Sequence, residues 1–527
     1  MKAYQYPSKR NIVYGGRGMA ATSHPLASEA GLQMLRAGGN AIDAAVAMAA
    51  ALTVLEPTSN GIGGDAFAIF YKDKKIHGLN ASGPAPKRID AELVRKQGHT
   101  EMPVCGALPV NVPGAVSAWT ELNRIHGKLP LQSVLAPAIR YAEEGAPVAE
   151  TVSHFWKQAQ ASFDADDPMY GPWYETFTKD NRAPEPGERF FLPDHAKTLT
   201  AIAEDPESFY RGRLAKEIAA CVQSEGGFLS FDDLAAYSPE WVTPIETAYK
   251  DHRILEIPPN GHGIVVLMAL SILESLPDTS DEILYTHRMI EALKLAFSDA
   301  AAYVTDPSAM PVEKEQLLDP VYLKQRGDAI TDTALTPEKG DPIRGGTVYL
   351  CAADRDGTMI SFIQSNYMGF GSGLVVPGTG IALHNRGANF SLEKGHPNEL
   401  KGGKRSYHTI IPGFIMKGDT PVSAFGVMGA FMQPQGQLQV LSSILRDGHN
   451  LQEALDRPRF QWVGGKRVLV ERGFPESVTD ALGRMGHDIT YSDDTGSFGR
   501  GQIIWRNEDG VYAGATECRC DGHISAY

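Results

Sequence analysis

The spacing of apolar residues changes several times along the chain. SHPLASEAGLQMLRAGGN (23–40) repeats them at helical intervals and stops at Gly38-Gly39, which predicts a capped amphipathic helix. AIDAAVAMAAALTVL (41–55) is apolar all round. It is too short for a membrane span and contains Asp43, so it predicts a buried core helix. Glu56-Pro57 breaks that helix, and TSNGIGGD (58–65) predicts a loop. AFAIFY then predicts a strand, KDKK a polar turn and IHGLNAS the returning strand. Residues from about 110 to 330 are mostly helical in pattern. Pro113-Gly114-Ala115-Val116 opens one helix and LQSVLAPAIRYAEEG (131–145) forms another. The stretch 282–304 predicts a long amphipathic helix with Leu284, Met289, Leu293 and Ala296 on its apolar face. Tryptophan and proline crowd 153–195, which predicts a surface cap. Residues 305–346 are rich in Pro, Asp, Thr and Gly and predict an exposed, flexible stretch, the best candidate for a break in the chain.

From Thr347 the texture becomes β. TVYLCAAD and TMISFIQS predict a hairpin whose strands are apolar on both faces. Such strands need a layer above and a layer below, so the fold class expected is α+β, a four-layer α/β/β/α sandwich. The turn fixes the register. A three-residue turn, Arg355-Asp356-Gly357 with a left-handed glycine, sets Thr347 opposite Ser365; a two-residue turn, Asp356-Gly357, sets it opposite Asn366. Either pairing puts a polar group beside Thr347, about 4.5–5.5 Å away at Cβ. GVMGAFMQPQGQ (426–437) follows the apolar PVSAF and predicts a strand-to-helix junction. There the N–H groups of Gly429 and Ala430 would be adjacent unpaired donors, an oxyanion hole if they face a nucleophile.

Composition narrows the function. The net charge is −14, which disfavours nucleic acid or an anionic membrane as the main partner. MKAYQYPSKRNIVYGG lacks the apolar core of a secretory signal, and five cysteines are few and odd in number; both suit a reduced, cytoplasmic protein. Cys518-Arg519-Cys520 reads as two reduced thiols rather than a metal or redox pair. No His-Glu-x-x-His, Cys-x-x-Cys, P-loop or dinucleotide motif is present, so neither a metal nor a cofactor is expected. A Gly-x-Ser-x-Gly elbow is also lacking.

The block GNAIDAAVAMAAALTVLEPTSNGIGGDAFAIF, the strand at Thr347, FGSG (370–373), GTGIALHN (378–385) and GVMGA carry a resemblance to the γ-glutamyltransferase family of N-terminal-nucleophile hydrolases over nearly the whole length. That resemblance implies a precursor cut between Gly346 and Thr347, giving a large chain, 1–346, and a small chain, 347–527, that form one intertwined catalytic unit. It also implies that Thr347 attacks amide bonds with its own α-amino group as base. Ser365 stands where the family has a supporting hydroxyl, and Gly429 and Ala430 where it has two oxyanion-hole glycines. Other positions depart from the family. Val348-Tyr349 replaces Ser/Thr-His after the nucleophile, and Ser82 replaces the arginine that grips the donor's α-carboxylate. Asn389 replaces the aspartate that pairs its α-amine, Tyr367 an asparagine, and His408-Thr409 two serines. Arg386 is the expected new carboxylate reader, unless it forms a structural ion pair. Three readings follow: a glutathione hydrolase-like amidohydrolase or acyltransferase; an amidohydrolase of oxamate-like or glutaryl-type carboxylated amides; or an uncleaved family member that only binds a small molecule. The partners expected are a small amide substrate and the chain's own two fragments as a heterodimer, with a dimer of these heterodimers as the further option.

Overall fold

The computed structural model describes residues 10–337 and 346–527. Two seven-stranded antiparallel sheets form its centre. One runs Val13–Gly15, Tyr512–Thr516, Arg500–Arg506, Thr420–Met428, Gly413–Lys417, His252–Glu256, Ile245–Tyr249. The other runs His523–Ala526, Gly18–Thr22, Gly346–Asp354, Met359–Tyr367, Asp65–Lys72, Lys75–Ala81, Glu240–Val242. Both sheets combine strands from before and after the expected cleavage point.

The strand Gly346–Asp354 shows why four layers result. Its side chains alternate between faces. Val348, Leu350 and Ala352 enter an apolar cluster with the helices Pro25–Arg36, Ala41–Leu55 and Ala115–His126. Tyr349, Cys351 and Ala353 enter a second cluster between the two sheets, with Phe67, Phe414 and Ile504. The outer face of the first sheet is covered by Gly263–Ser275 and Glu282–Tyr303, through residues such as Ile264, Leu267 and Leu293 against Ile415 and Val427. The all-apolar helix 41–55 is buried along its whole length, and Asp43 forms its capping box with Asn40.

Three local expectations are corrected. The stretch 305–346 is not featureless: it contains the helices Lys314–Leu317 and Pro320–Asp328, seated by buried Leu317 and Leu323, while 338–345 lie outside the described residues. The tryptophans of 153–195 are not a surface feature. Trp156 and Trp173 are fully buried around Phe370, because FGSG brings that ring beneath them. The face expected of Glu282–Tyr303 is fully buried at Leu293 and Ala296 but not along its whole length. Leu284 and Met289 are half-buried, whereas Glu291 and Lys294 are fully buried as an ion pair, Nζ to Oε1 2.7 Å. Mutual neutralisation is what lets two charges occupy positions that periodicity reserves for leucines.

Candidate active site

The hairpin pairs in the three-residue-turn register from Val348 opposite Gln364 to Ala353 opposite Met359, and Gly357 in its turn has φ +85°. The register then shifts between Gly346 and Val348, where Gly346 faces Tyr367. Thr347 therefore sits in a bulge, a device that re-aims a side chain at the end of a ladder. Its hydroxyl lies 3.2 Å from that of Ser365. Thr347 is 1% exposed and Ser365 fully buried. The Ser365 hydroxyl also accepts the Tyr367 N–H at 2.7 Å.

The long motif near the start of the chain builds the support beneath this pair. Gln364, which precedes Ser365, donates to Asn60 Oδ1 at 2.6 Å and accepts from Trp119 Nε1 at 2.7 Å. Asn60 in turn donates to the carbonyls of Leu52 and Glu56 at the end of the buried helix. Gly64 allows the loop to lie against the hairpin, since a Cβ there would stand 2.7 Å from the Ser365 carbonyl oxygen.

Asp65, opposite Ser365 in the sheet, is the hub of a buried polar cluster. Its carboxylate receives Arg386 Nε at 2.9 Å and Nη2 at 3.1 Å, and His408 Nε2 at 2.7 Å. Arg386 Nη1 donates to Thr409 Oγ1 at 2.9 Å, and the guanidinium lies 4.6 Å from the Tyr367 ring centroid. Burial alone would raise the Asp65 carboxyl, but the Arg386 guanidinium and His408 hold it well below the usual carboxylate range. His408 is lowered to about 4 by burial and by the Arg386 charge. This geometry corrects the expectation that Arg386 awaits a substrate carboxylate: it is 1% exposed and its fork already holds Asp65. His408 and Thr409 belong to the same closed cluster. Tyr367 is buried with φ +75°, and burial raises its phenol to about 12. Val348 and Tyr349 point into the two cores rather than toward the nucleophile, so their departure from the family pattern concerns packing; Tyr349 bonds Ser361 at 2.7 Å. Ser82 is likewise internal, donating to Asn80 at 2.6 Å.

Gly429 and Ala430 join Thr420–Met428 to the helix Met432–Leu441, with φ +138° and +48°. Both φ values are positive, so the chain turns sharply between strand and helix at these two residues. From the same helix Gln433 reaches Thr347, its Nε2 3.4 Å from Thr347 Oγ1. Neither Gln433 nor Asp65 was anticipated as a site residue. Asn389 is half-buried, its Nδ2 has no partner among the described residues, and it lines a cavity of about 670 Å³ together with Phe297, Tyr407, Phe431 and Trp462. Phe431 directly follows Ala430 and stacks on Tyr407, which directly precedes His408. The cavity's described lining includes Glu101 and Glu393 but no lysine or arginine.

The five cysteines are all unpaired as disulfides. Among the described residues, His287, Glu291 and His487 are near enough to share an ion, but Lys294 already holds Glu291. No described helix is long and apolar enough to cross a membrane.

Comparison with known proteins agrees with this geometry. The profile of the gamma-glutamyltranspeptidase family matches residues 27–527. The chain is 36% identical to the glutathione hydrolase-like YwrD proenzyme of Bacillus subtilis, across 97% of its length and 98% of that protein's. It is also 36% identical to the oxamate amidohydrolase proenzyme of Klebsiella pneumoniae, with the same coverage of both. The crystal structure of a cephalosporin acylase from Bacillus halodurans superposes with a TM-score of 0.97 at 54% identity, covering 100% of this chain and 99% of that one. The chain belongs to the gamma-glutamyltranspeptidase family of N-terminal-nucleophile hydrolases and is an enzyme that acts on amide bonds.

Proposed function

We propose that this chain is a proenzyme that cuts itself between Gly346 and Thr347 and then hydrolyses amides that need no α-amino group on the acyl side. The contact of Thr347 Oγ1 with Ser365 Oγ at 3.2 Å, at the buried end of a bulged strand, carries the reading. In self-cleavage the Thr347 oxygen adds to the Gly346 carbonyl carbon and loses its proton. The nitrogen of Thr347 takes a proton as the C–N bond breaks, leaving an ester. Water hydrolyses the ester, releasing the Gly346 carboxylate and a small chain, 347–527, with a free amino terminus. That amine is then the general base for the hydroxyl beside it, which is otherwise a weak nucleophile. Attack on a substrate amide gives an acyl-enzyme and a free amine, with Gly429 and Ala430 N–H groups stabilising the oxyanion. Water completes the hydrolysis.

The acyl specificity follows from charge. A γ-glutamyl group brings an ammonium that costs several kcal/mol to bury unpaired. Asp65 is committed to Arg386 and His408, and Asn389 stands where the family has a free carboxylate. The cavity beside Phe431 offers the aromatic faces of Phe297, Tyr407, Phe431 and Trp462, with Glu101 and Glu393 also in its lining.

Purified protein should run as two fragments, the smaller beginning at Thr347 by mass spectrometry. Thr347→Ala should stay whole and inactive. Glutaryl- and γ-glutamyl-anilides differ only in the α-amine, and glutaryl should be favoured at least tenfold in kcat/KM, roughly the effect of 1.4 kcal/mol. A whole wild-type chain, or an active Thr347→Ala protein, would defeat the mechanism. A tenfold preference for the γ-glutamyl compound would defeat the specificity.

A further inference from the structure

We infer that Gln433 is a further catalytic residue, a fixed donor to the nucleophilic oxygen of Thr347. The inference rests on the assignment of Thr347 as the nucleophile. Gln433 is fully buried in the first turn of Met432–Leu441. Its carboxamide cannot turn over freely. The Ile411 backbone N–H donates to Oε1 at 3.0 Å, and a backbone N–H is a donor only. Reversing the amide would set its NH₂ against that N–H. Nε2 is therefore the end that meets Thr347 Oγ1, at 3.4 Å.

The consequence is geometric. A hydroxyl oxygen has one proton and two lone pairs. Nε2–H engages one lone pair from a fixed direction and directs the proton away from Gln433. As the proton leaves, the oxygen gains negative charge and its hydrogen bond to a fixed neutral donor strengthens. Such a bond stabilises the transition state more than the ground state. The donor is placed on the same helix turn that follows Gly429-Ala430, so a single junction supplies groups to both the attacked and the attacking oxygen. Its other anchor, Ile411, lies two residues beyond Thr409 of the Asp65–Arg386 cluster.

The test uses the full-length chain with Gln433→Leu and Gln433→Glu. Three quantities are read: the rate of fragment appearance, kcat and KM on the cleaved enzyme, and the pH profile of kcat/KM. Removing an oxyanion-hole donor costs about 10²–10³ in kcat. A donor to the nucleophile at 3.4 Å is expected to cost less, and Gln433→Leu should lower kcat and self-cleavage about 10–100-fold. KM should stay within about twofold. Gln433→Glu keeps the acceptor for Ile411 N–H but places a carboxylate near the Thr347 amine. It should move the acidic limb of the profile upward by about one pH unit, because a nearby opposite charge favours the ammonium. A folded Gln433→Leu enzyme with unchanged kcat and cleavage would overturn the inference. So would an unshifted pH profile in Gln433→Glu if the leucine variant does not fold. If wild-type protein cleaves and turns over normally while both variants match it, this inference fails and the assignment of Thr347 survives. If wild type neither cleaves nor turns over, both fail together.

Discussion

Replacing Asp65 with asparagine removes the carboxylate that holds Arg386 by two hydrogen bonds and His408 by a third. The side chains of all three residues are no more than 1% exposed, so water cannot solvate the guanidinium left behind. Breaking a buried pair by deleting one partner costs about 3–5 kcal/mol. The unfolding entropy of a chain this long, at about 2.1 cal/mol/K per residue, is roughly 1.1 kcal/mol/K. Asp65→Asn should therefore lower Tm by about 3–5 °C. Removing both charges in Asp65→Asn/Arg386→Leu leaves no orphaned ion, and most of the loss should return. Thermal melts at pH 7.5 read both numbers, at a fixed scan rate because large chains often unfold irreversibly. The same variants separate two roles for Arg386. If it serves only to hold Asp65, the double variant keeps the wild-type ratio of kcat/KM between glutaryl and acetyl anilides. Additive losses in Tm, or a selective loss of the carboxylated substrate, would refute the reasoning that Arg386 is committed to Asp65.

His195 is buried between Thr53 Oγ1 and the Gly380 carbonyl, and burial lowers it to about 4. An unfolded histidine titrates near 6.5, so between these values the unfolded chain binds the extra proton and stability falls as pH drops. Loss of about 2.5 units at 1.36 kcal/mol each is roughly 3 kcal/mol. His195→Gln should shrink the fall in Tm between pH 6.5 and 4 by about 3 °C; an unchanged slope would show that His195 is already charged in the fold. Ala430 holds φ +48°, where a side chain costs about 1–2 kcal/mol, offset partly by the 0.5–1 kcal/mol entropic penalty of glycine. Ala430→Gly should keep both N–H donors, leave kcat within about twofold and raise Tm by up to about 1 °C; a marked loss of Tm would contradict the left-handed assignment.

The hairpin around Thr347 was legible because its determinants are local. Turn residues set the register, and period-two alternation set the two buried faces. What the turn could not show is the bulge at Thr347, which depends on how the end of the strand leaves the ladder. The junction at Gly429-Ala430 was legible for the same local reason. Asp65 and Gln433 were not. They reach their partners across 321 and 86 residues, and in sequence they are an unremarked loop end and a helical glutamine. Arg386 could be placed near the site, but its partner could not be named. Proximity in the chain suggested a free cation where the fold supplies a carboxylate from the neighbouring strand. The burial of Glu291 and Lys294 misled periodicity in the same way, because a pattern of polarity registers each charge alone and not the pair.

The site divides into two sets of residues that respond differently to change. In the proposed mechanism Thr347, Ser365, the Gly429-Ala430 junction and Gln433 concern bond making, whichever acyl group is present. Asp65, Arg386, His408 and Thr409 form a charge cluster that satisfies itself and presents no uncompensated ion. Substituting within the second set therefore bears on stability rather than on bond making at Thr347. A single charge reversal there is costly, since each member is buried and its partners are left unpaired. Compensated exchanges escape that penalty. A shift of acyl specificity on this scaffold is therefore expected from outside the cluster, and restoring a carboxylate at Asn389 for a γ-glutamyl ammonium should be the least disruptive single step, because Asn389 is half-buried on the cavity wall.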